Sequence, residues 1–324
     1  MPKNYLYISN TLDGWVNLAY DEWFLDHVGE DELVLYFYVN GNAVIIGKNQ
    51  NPRKECDLDA MARDQVQLVR RISGGGAVYH DEGNLNFSFN AGINRYDKDK
   101  QHRFILETVA SLGIPCEFSG RNDLLSGGRK FSGNAYCGRG NAKQHHGTLL
   151  ISSDLSKLQN YLTVDPRKMK AKGVDSVRSR VCNLTEILPT LSVAQMKEVI
   201  PAAFRKVYGD FEPFVFTDEQ KQEIEGYIAK HSSDEWLLGA TPDFDAEIDE
   251  RLSFGGVQTL LTLKGWTIAA SKTFSDANDE TLAEKIDGIL TGLPFHKAVI
   301  AAALENSGDE RLSELAAVIR EKGI

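Results

Sequence analysis

Two apolar runs, Glu32 to Val39 and Ala43 to Ile46, flank Asn40-Gly41-Asn42. Asn-Gly between such runs is the strongest short hairpin signal, so this segment predicts two antiparallel strands and commits the chain to a sheet. The strand pattern recurs at Asn4 to Ser9, Val66 to Arg71, Ala77 to His80, Leu85 to Asn90 and Gly147 to Ser152. Helical period interrupts it. Trp15, Leu18, Ala19, Trp23, Phe24 and Leu25 form a stripe entered through Asp13, and helices are expected near Arg53 to Arg63, Arg103 to Leu112, Ser192 to Tyr208 and Asp218 to His231. Pro189, Pro201 and Pro213 are read as marking helix ends and one early turn. A mixed sheet with flanking helices follows, of α/β (α+β) class.

After Ala240-Thr241-Pro242-Asp243 the pattern restarts. Three strands are expected at Glu247 to Ser253, Val257 to Leu263 and Trp266 to Phe274, then helices at Glu280 to Leu290, Lys297 to Asn306 and Arg311 to Lys322. The division predicted is a main domain over 1–243 and a small α+β module over 244–324. With 13 acids against 8 bases, residues 246–324 supply about half of the chain's net charge of -10. That charge argues against sequence-independent nucleic-acid binding, which depends on cations that neutralise phosphates. Cys56, Cys116, Cys137 and Cys182 are too widely spaced for a zinc cluster and suit a reducing compartment. The opening residues show no basic segment followed by an apolar core, and no run of 18 apolar residues occurs. A cytoplasmic protein with no membrane span is expected.

Four segments depart from ordinary core and surface patterns. In Arg70-Arg71-Ile72-Ser73-Gly74-Gly75-Gly76-Ala77-Val78-Tyr79-His80 a triple glycine separates two strands. Backbone N–H groups without Cβ atoms can approach an anion, and an arginine can add a bidentate fork; alternatively, the segment is a hairpin tip. It is neither a Walker loop, lacking Gly-Lys-Ser/Thr, nor a Rossmann fingerprint. Gly120-Arg121-Asn122-Asp123-Leu124 precedes Lys130-Phe131-Ser132-Gly133-Asn134, where an ammonium sits beside small residues that let backbone approach a ligand; a lone lysine is otherwise a solvated group. His145 and His146 are neighbours on a strand, so they point to opposite faces and do not readily share a metal. From Arg167 to Arg180 six bases stand against one acid, interleaved with Gly and Ser, which suits a loop that folds over phosphate better than an amphipathic helix.

Together these segments resemble the lipoate-protein ligase A family. The resemblance rests on RRISGGGAVYHDEGN, GRNDL, RKFSGNAY, HHGTLL and KAKGVDSVRSRVCNLTE, in that order, with NPRKEC before them. It covers nearly the whole chain. It implies a mixed-sheet catalytic domain of biotin/lipoate ligase type, similar to class II aminoacyl-tRNA synthetases, with a C-terminal accessory domain. The implied activity, in cofactor salvage, is ATP- and Mg2+-dependent formation of lipoyl-AMP, then transfer to a lysine of apo lipoyl domains. The implied acceptors are the acyltransferase (E2) subunits of 2-oxoacid dehydrogenases and the glycine cleavage H protein, with the ligase acting as a monomer.

By that resemblance Lys130 is the catalytic lysine, touching both the lipoate carboxyl and the α-phosphate. Arg71 would meet ATP phosphates, with Gly76, Ala77, Val78 and Tyr79 lining the nucleotide site through backbone groups. Ser73, Gly74, Gly75, His80 and His146 would line the lipoate tunnel. Lys172, Gly173, Val174, Ser176 and Arg178 fall in the adenylate-binding loop. Asp123 is read either as a carboxylate near Mg2+ or as a structural hydrogen-bonding group.

Two other readings remain on the same fold. Cys137, seven residues after Lys130, could carry an acyl thioester in an ATP-independent octanoyl- or lipoyl-transferase. A degenerate member could bind lipoate or lipoyl domains without chemistry, which the presence of Lys130 and Arg71 argues against. A biotin ligase that doubles as a repressor is disfavoured, because the first strand begins near Tyr5 and leaves no space for a helix-turn-helix.

Overall fold

The computed structural model describes residues 2–119, 123–163, 181–239 and 244–322. In chain order its elements are β1 (Lys3–Ile8), α1 (Gly14–His27), β2 (Glu32–Tyr38), β3 (Ala43–Ile46), α2 (Pro52–Glu55), α3 (Leu58–Arg63), β4 (Gln67–Arg70), β5 (Val78–His80), β6 (Asn84–Gly92), α4 (Lys98–Ala110), β7 (Glu117–Ser119), β8 (Asp123–Ser126), β9 (Arg129–Arg139), β10 (Ala142–Leu150), α5 (Leu158–Tyr161), α6 (Val193–Tyr208), β11 (Glu212–Pro213), α7 (Asp218–His231) and α8 (Asp234–Leu238). There follow β12 (Ala246–Leu252), β13 (Gly255–Lys264), β14 (Thr267–Ser275), α9 (Leu282–Leu290), α10 (Lys297–Glu305) and α11 (Glu310–Lys322).

An eight-stranded mixed sheet, ordered β11-β1-β2-β6-β10-β9-β8-β7, forms the centre. Its period-2 alternation divides two cores. Leu33, Leu35 and Phe37 of β2, with Leu85, Phe87 and Phe89 of β6, pack against α4 and α6; Val34, Tyr36 and Tyr38 face α1 and a second sheet. That second sheet, β4-β3-β5, packs on α3 and α5.

The expected hairpin does not form. β2 already has a partner on each edge, β1 in parallel and β6 in antiparallel register, so β3 has no edge there to join. The chain instead crosses to the second sheet, where β3 pairs β4 in parallel and β5 in antiparallel register. Gly41 lacks the positive φ of a type I′ turn. The crossing is held by other donors: Gly41 N–H reaches the Leu12 carbonyl at 2.7 Å, Gln67 N–H reaches that of Asn42, and the Asn40 amide is buried between Asn17 and His80.

Other boundaries moved for local reasons. The helix expected over Arg53 to Arg63 breaks at Cys56, and Asp57 caps the second piece by accepting from Ala60 N–H. Pro201 marks neither an end nor an early turn; it lies inside α6, beyond whose first turn its missing N–H costs one backbone bond. β10 starts at Ala142, and β9 was not anticipated, because Ser, Gly and Asn are depleted in strands.

The C-terminal module has its own core, drawn from residues 248–319, beneath the antiparallel sheet β12-β13-β14. It docks on the turn after β3 and on α2. Ser275 N–H donates to the Asn49 carbonyl, the Asn49 amide to the Glu280 carbonyl, and Lys48–Glu284 and Lys54–Asp249 form ion pairs of 2.8 and 2.6 Å. No helix among the described residues is long and apolar enough to cross a membrane.

Candidate active site

β6 is buried along its whole length, yet Asn84, Asn86, Ser88 and Asn90 share the face opposite its apolar core side. Register carries this polar face across to Gln144 and His146 of β10, then to Ala135 and Gly133 of β9. A buried polar surface of this extent is costly unless its groups are paired or meet a ligand. Asp21 from α1 accepts from Asn90 at 3.1 Å and lies 3.1 Å from His146 Nδ1; Ser73 of the glycine loop meets His146 Nε2 at 2.6 Å. His145 points to the other face, bonded to Gln101 and Asn134 in the core, so the two histidines separate as strand geometry requires.

The glycine loop lies over this face. Both preceding arginines are buried and committed to carbonyls. Arg71 donates to Gly74, Gly76 and Ile45, and Arg70 to Gly47, Lys48, Gln50, Trp236 and Leu237. Arg71 therefore sets the loop's shape and presents no free fork. Burial pushes it down to about 10, still protonated at neutral pH. Gly47 permits the close crossing: a Cβ there would meet the Gly75 carbonyl at 2.2 Å. From above, the C-terminal module's Ala277 carbonyl accepts from Gly75 N–H at 2.7 Å.

Lys130 stands near the start of β9, and its Nζ occupies space that a side chain at residue 133 would need: a Cβ on Gly133 would lie 3.0 Å from it. That places the ammonium on the same face as His146. Asp123 of β8 pairs with it at 2.8 Å. Val181, which follows the basic segment, bridges to Lys130, and Cys182 N–H donates to the Lys130 carbonyl at 2.9 Å. Before that segment, Thr163 N–H donates to the Glu55 carbonyl. The described residues on either side of the basic segment thus lie beside α2 and at Lys130.

Residues 13–205 match the lipoyl protein ligase A/B catalytic domain. The chain belongs to the lipoyl protein ligase A/B family. Residues 241–316 of this family member match the bacterial lipoate protein ligase C-terminus. Among solved structures it is similar to P. falciparum LipL1 in complex with lipoate, at 26% identity and TM-score 0.83, over 98% of this chain and 100% of that one. It is also similar to an archaeal bipartite lipoate protein ligase, described with its E2 lipoyl domain, from Thermoplasma acidophilum, at 30% identity and TM-score 0.65, over 75% and 99%. A lipoate-protein ligase A bound with ATP matches at 29% identity and TM-score 0.62, over 74% and 98%.

In this lipoyl ligase fold the structure gathers Lys130, Asp123, Ser73, Gly74, Gly75 and His146 at or over the polar face. Gly76 has open space around it, Val78 is partly exposed, and Tyr79 is held by Asn42 and stacked on Tyr161. His80 is buried, and burial, with Arg71 and His146 nearby, pushes it down to about 3, so it is neutral. Its Nε2 has no partner among the described residues. Lys172, Gly173, Val174, Ser176 and Arg178 lie outside the described residues. The sequence reading missed Gly47, Arg70 and Asp21; the alternation of Asn and Ser with Leu and Phe in β6 was the available signal for a buried polar face.

No cluster of three metal-binding side chains occurs among the described residues. Asp123 offers a carboxylate beside Lys130. That suits Mg2+ carried largely by nucleotide phosphates and water, which needs only one or two carboxylates. Cys137 is poorly equipped as a nucleophile. Its thiol is tied to Gln144 Oε1 at 3.3 Å, and burial, with Glu280 and Asp21 nearby, pushes it far above the ordinary thiol range.

Proposed function

We propose that this chain is an ATP-dependent lipoate–protein ligase, with residues 1–243 as its catalytic unit and 244–324 as its accessory unit. The observation that carries the reading is Lys130: an ammonium paired with Asp123 on the polar face that carries His146, with Val181 bridged to its backbone. Joining a carboxylate to an α-phosphate brings two anions together, so a positioned cation stabilises the transition state more than either reactant alone. Lys130 would exchange Asp123 for the lipoate carboxyl and α-phosphate. The carboxylate oxygen then attacks the α-phosphorus, the bond to pyrophosphate breaks, and lipoyl-AMP forms. Mg2+, when bound, would neutralise phosphate charge, with Asp123 as its one protein carboxylate among the residues described.

Arg71 would act through the loop it shapes, presenting the backbone of Gly76, Ala77, Val78 and Tyr79 to the nucleotide. The basic segment, with Lys172 and Arg178, would cover the adenylate and exclude water from the mixed anhydride. A lysine amine of an apo lipoyl domain, from an E2 subunit or the glycine cleavage H protein, would then take the acyl group and release AMP. The neighbours' lipoate, ATP and lipoyl domain support the reading by similarity.

The test is lipoate-dependent pyrophosphate release from MgATP, first without an acceptor and then with an apo lipoyl domain. Release followed by a lipoyl-sized mass gain on the acceptor is the expected result. Absence of release would overturn the reading.

A further inference from the structure

Ser73, His146 and Asp21 form a relay with the order and spacing of a serine-hydrolase triad. Asp21 Oδ2 faces His146 Nδ1 at 3.1 Å, and His146 Nε2 faces Ser73 Oγ at 2.6 Å. The carboxylate can only accept, so Nδ1 carries the proton and Nε2 is left to accept from the Ser73 hydroxyl. Asn90, donating to Asp21 Oδ1, and Gln144, donating to the Asp21 carbonyl, fix the acid from two sides. All three relay side chains are buried, so their geometry is not a chance surface contact.

A second feature is an unpartnered buried donor on His80. Asn40 Oδ1 accepts from Asn17, which turns its amide nitrogen to donate to His80 Nδ1. Nε2 of His80 therefore carries the hydrogen, and it is a buried donor with no partner among the described residues. His80 lies close enough to His146 for the charge of one to bear on the other.

We propose a second, ATP-independent activity: Ser73 accepts an acyl group from an activated medium-chain acyl ester, forming an acyl-serine that water then cleaves. The choice of acyl chain rests on the lipoate reading. Ser73 Oγ bonds to the carbonyl carbon as its proton passes to His146 Nε2, and the bond to the leaving group breaks as that group takes the proton from Nε2, which leaves Nε2 free to accept again. Water then attacks the ester, giving its proton to Nε2; the proton returns to Ser73 as the acid departs. No redox partner is needed. Because Ser73 is buried and the C-terminal module covers Gly74 and Gly75, water access is limited and deacylation is the slower step.

The experiment uses the full chain and 4-nitrophenyl octanoate without ATP. A nitrophenolate burst near one equivalent is expected, and peptide mapping of quenched wild-type protein places the octanoyl group on Ser73. Ser73→Ala, checked for folding by circular dichroism, loses the adduct. Asp21 acts as a positioning residue, so Asp21→Asn slows acylation about a thousandfold and Asp21→Glu restores part of the rate. No adduct, or an adduct on Lys130 or Cys137, overturns the proposal. Lipoate-dependent pyrophosphate release on the same sample separates the two readings. Release without a Ser73 adduct sinks the relay alone, and an adduct without release sinks the ligase reading alone.

Discussion

At the level of single residues, the site depends on space left beside Lys130. Gly133 is small because the lysine folds over it, a relation that RKFSGNAY contains but that only register reveals. Gly133→Ala should displace the flexible ammonium by a few tenths of an ångström. Adenylation should slow about tenfold with little change in melting temperature, since misplacing a reacting group costs rate before stability. Equal adenylation rates for the two proteins would refute that positioning role. Gly47→Ala meets backbone instead, the Gly75 carbonyl, which cannot swing aside. It should cost about 1 to 3 kcal/mol in urea denaturation, as overpacking does; an unchanged midpoint would contradict the crossing described here. Lys130 was legible in sequence, standing among small residues. Gly47 was not, because its neighbour in space lies on a different loop.

At the level of elements, alternation located most strands but not their partners. Glu32 to Ile46 reads as a hairpin because the turn chemistry is local, whereas strand order depends on which edges are already occupied. The same applies to α7, whose role is to clamp α1. Glu22, buried on α1, bonds His231 and Lys230 of α7 and Arg139 at the end of β9. Burial alone would raise this carboxyl, but the hydrogen bonds from His231 and Lys230 outweigh it and hold it at about 2. The folded value lies below the ordinary 4.5, so the stability Glu22 adds is full above that pH and is lost as pH falls toward 2. Glu22→Gln should therefore destabilise by about 3 kcal/mol at pH 7, because it removes the buried carboxylate that Lys230, Arg139 and His231 share. The gap from wild type should narrow at pH 3; a gap independent of pH would contradict the assignment.

At the level of the whole molecule, the C-terminal module is docked on Gly74 and Gly75, where the lipoate tunnel is expected. Its Ala277 carbonyl holds the Gly75 N–H, a donor that a bound anion would compete for, and the docking ion pairs Lys48–Glu284 and Lys54–Asp249 are partly exposed and individually weak. Saturating lipoate and MgATP should release the module and raise the radius of gyration in solution scattering. An unchanged value would show that the site fills with the module in place. The change of pattern after residues 240–243 suggested a separate unit, but nothing in its strands showed which residues of the preceding chain it would cover. The central claim is that Lys130 carries adenylation, and the most direct measurement is mass spectrometry of lipoyl-AMP formed by wild type and Lys130→Ala from lipoate and MgATP without acceptor. The account predicts adenylate with wild type and none with a folded Lys130→Ala, whereas wild-type amounts from the variant would contradict it.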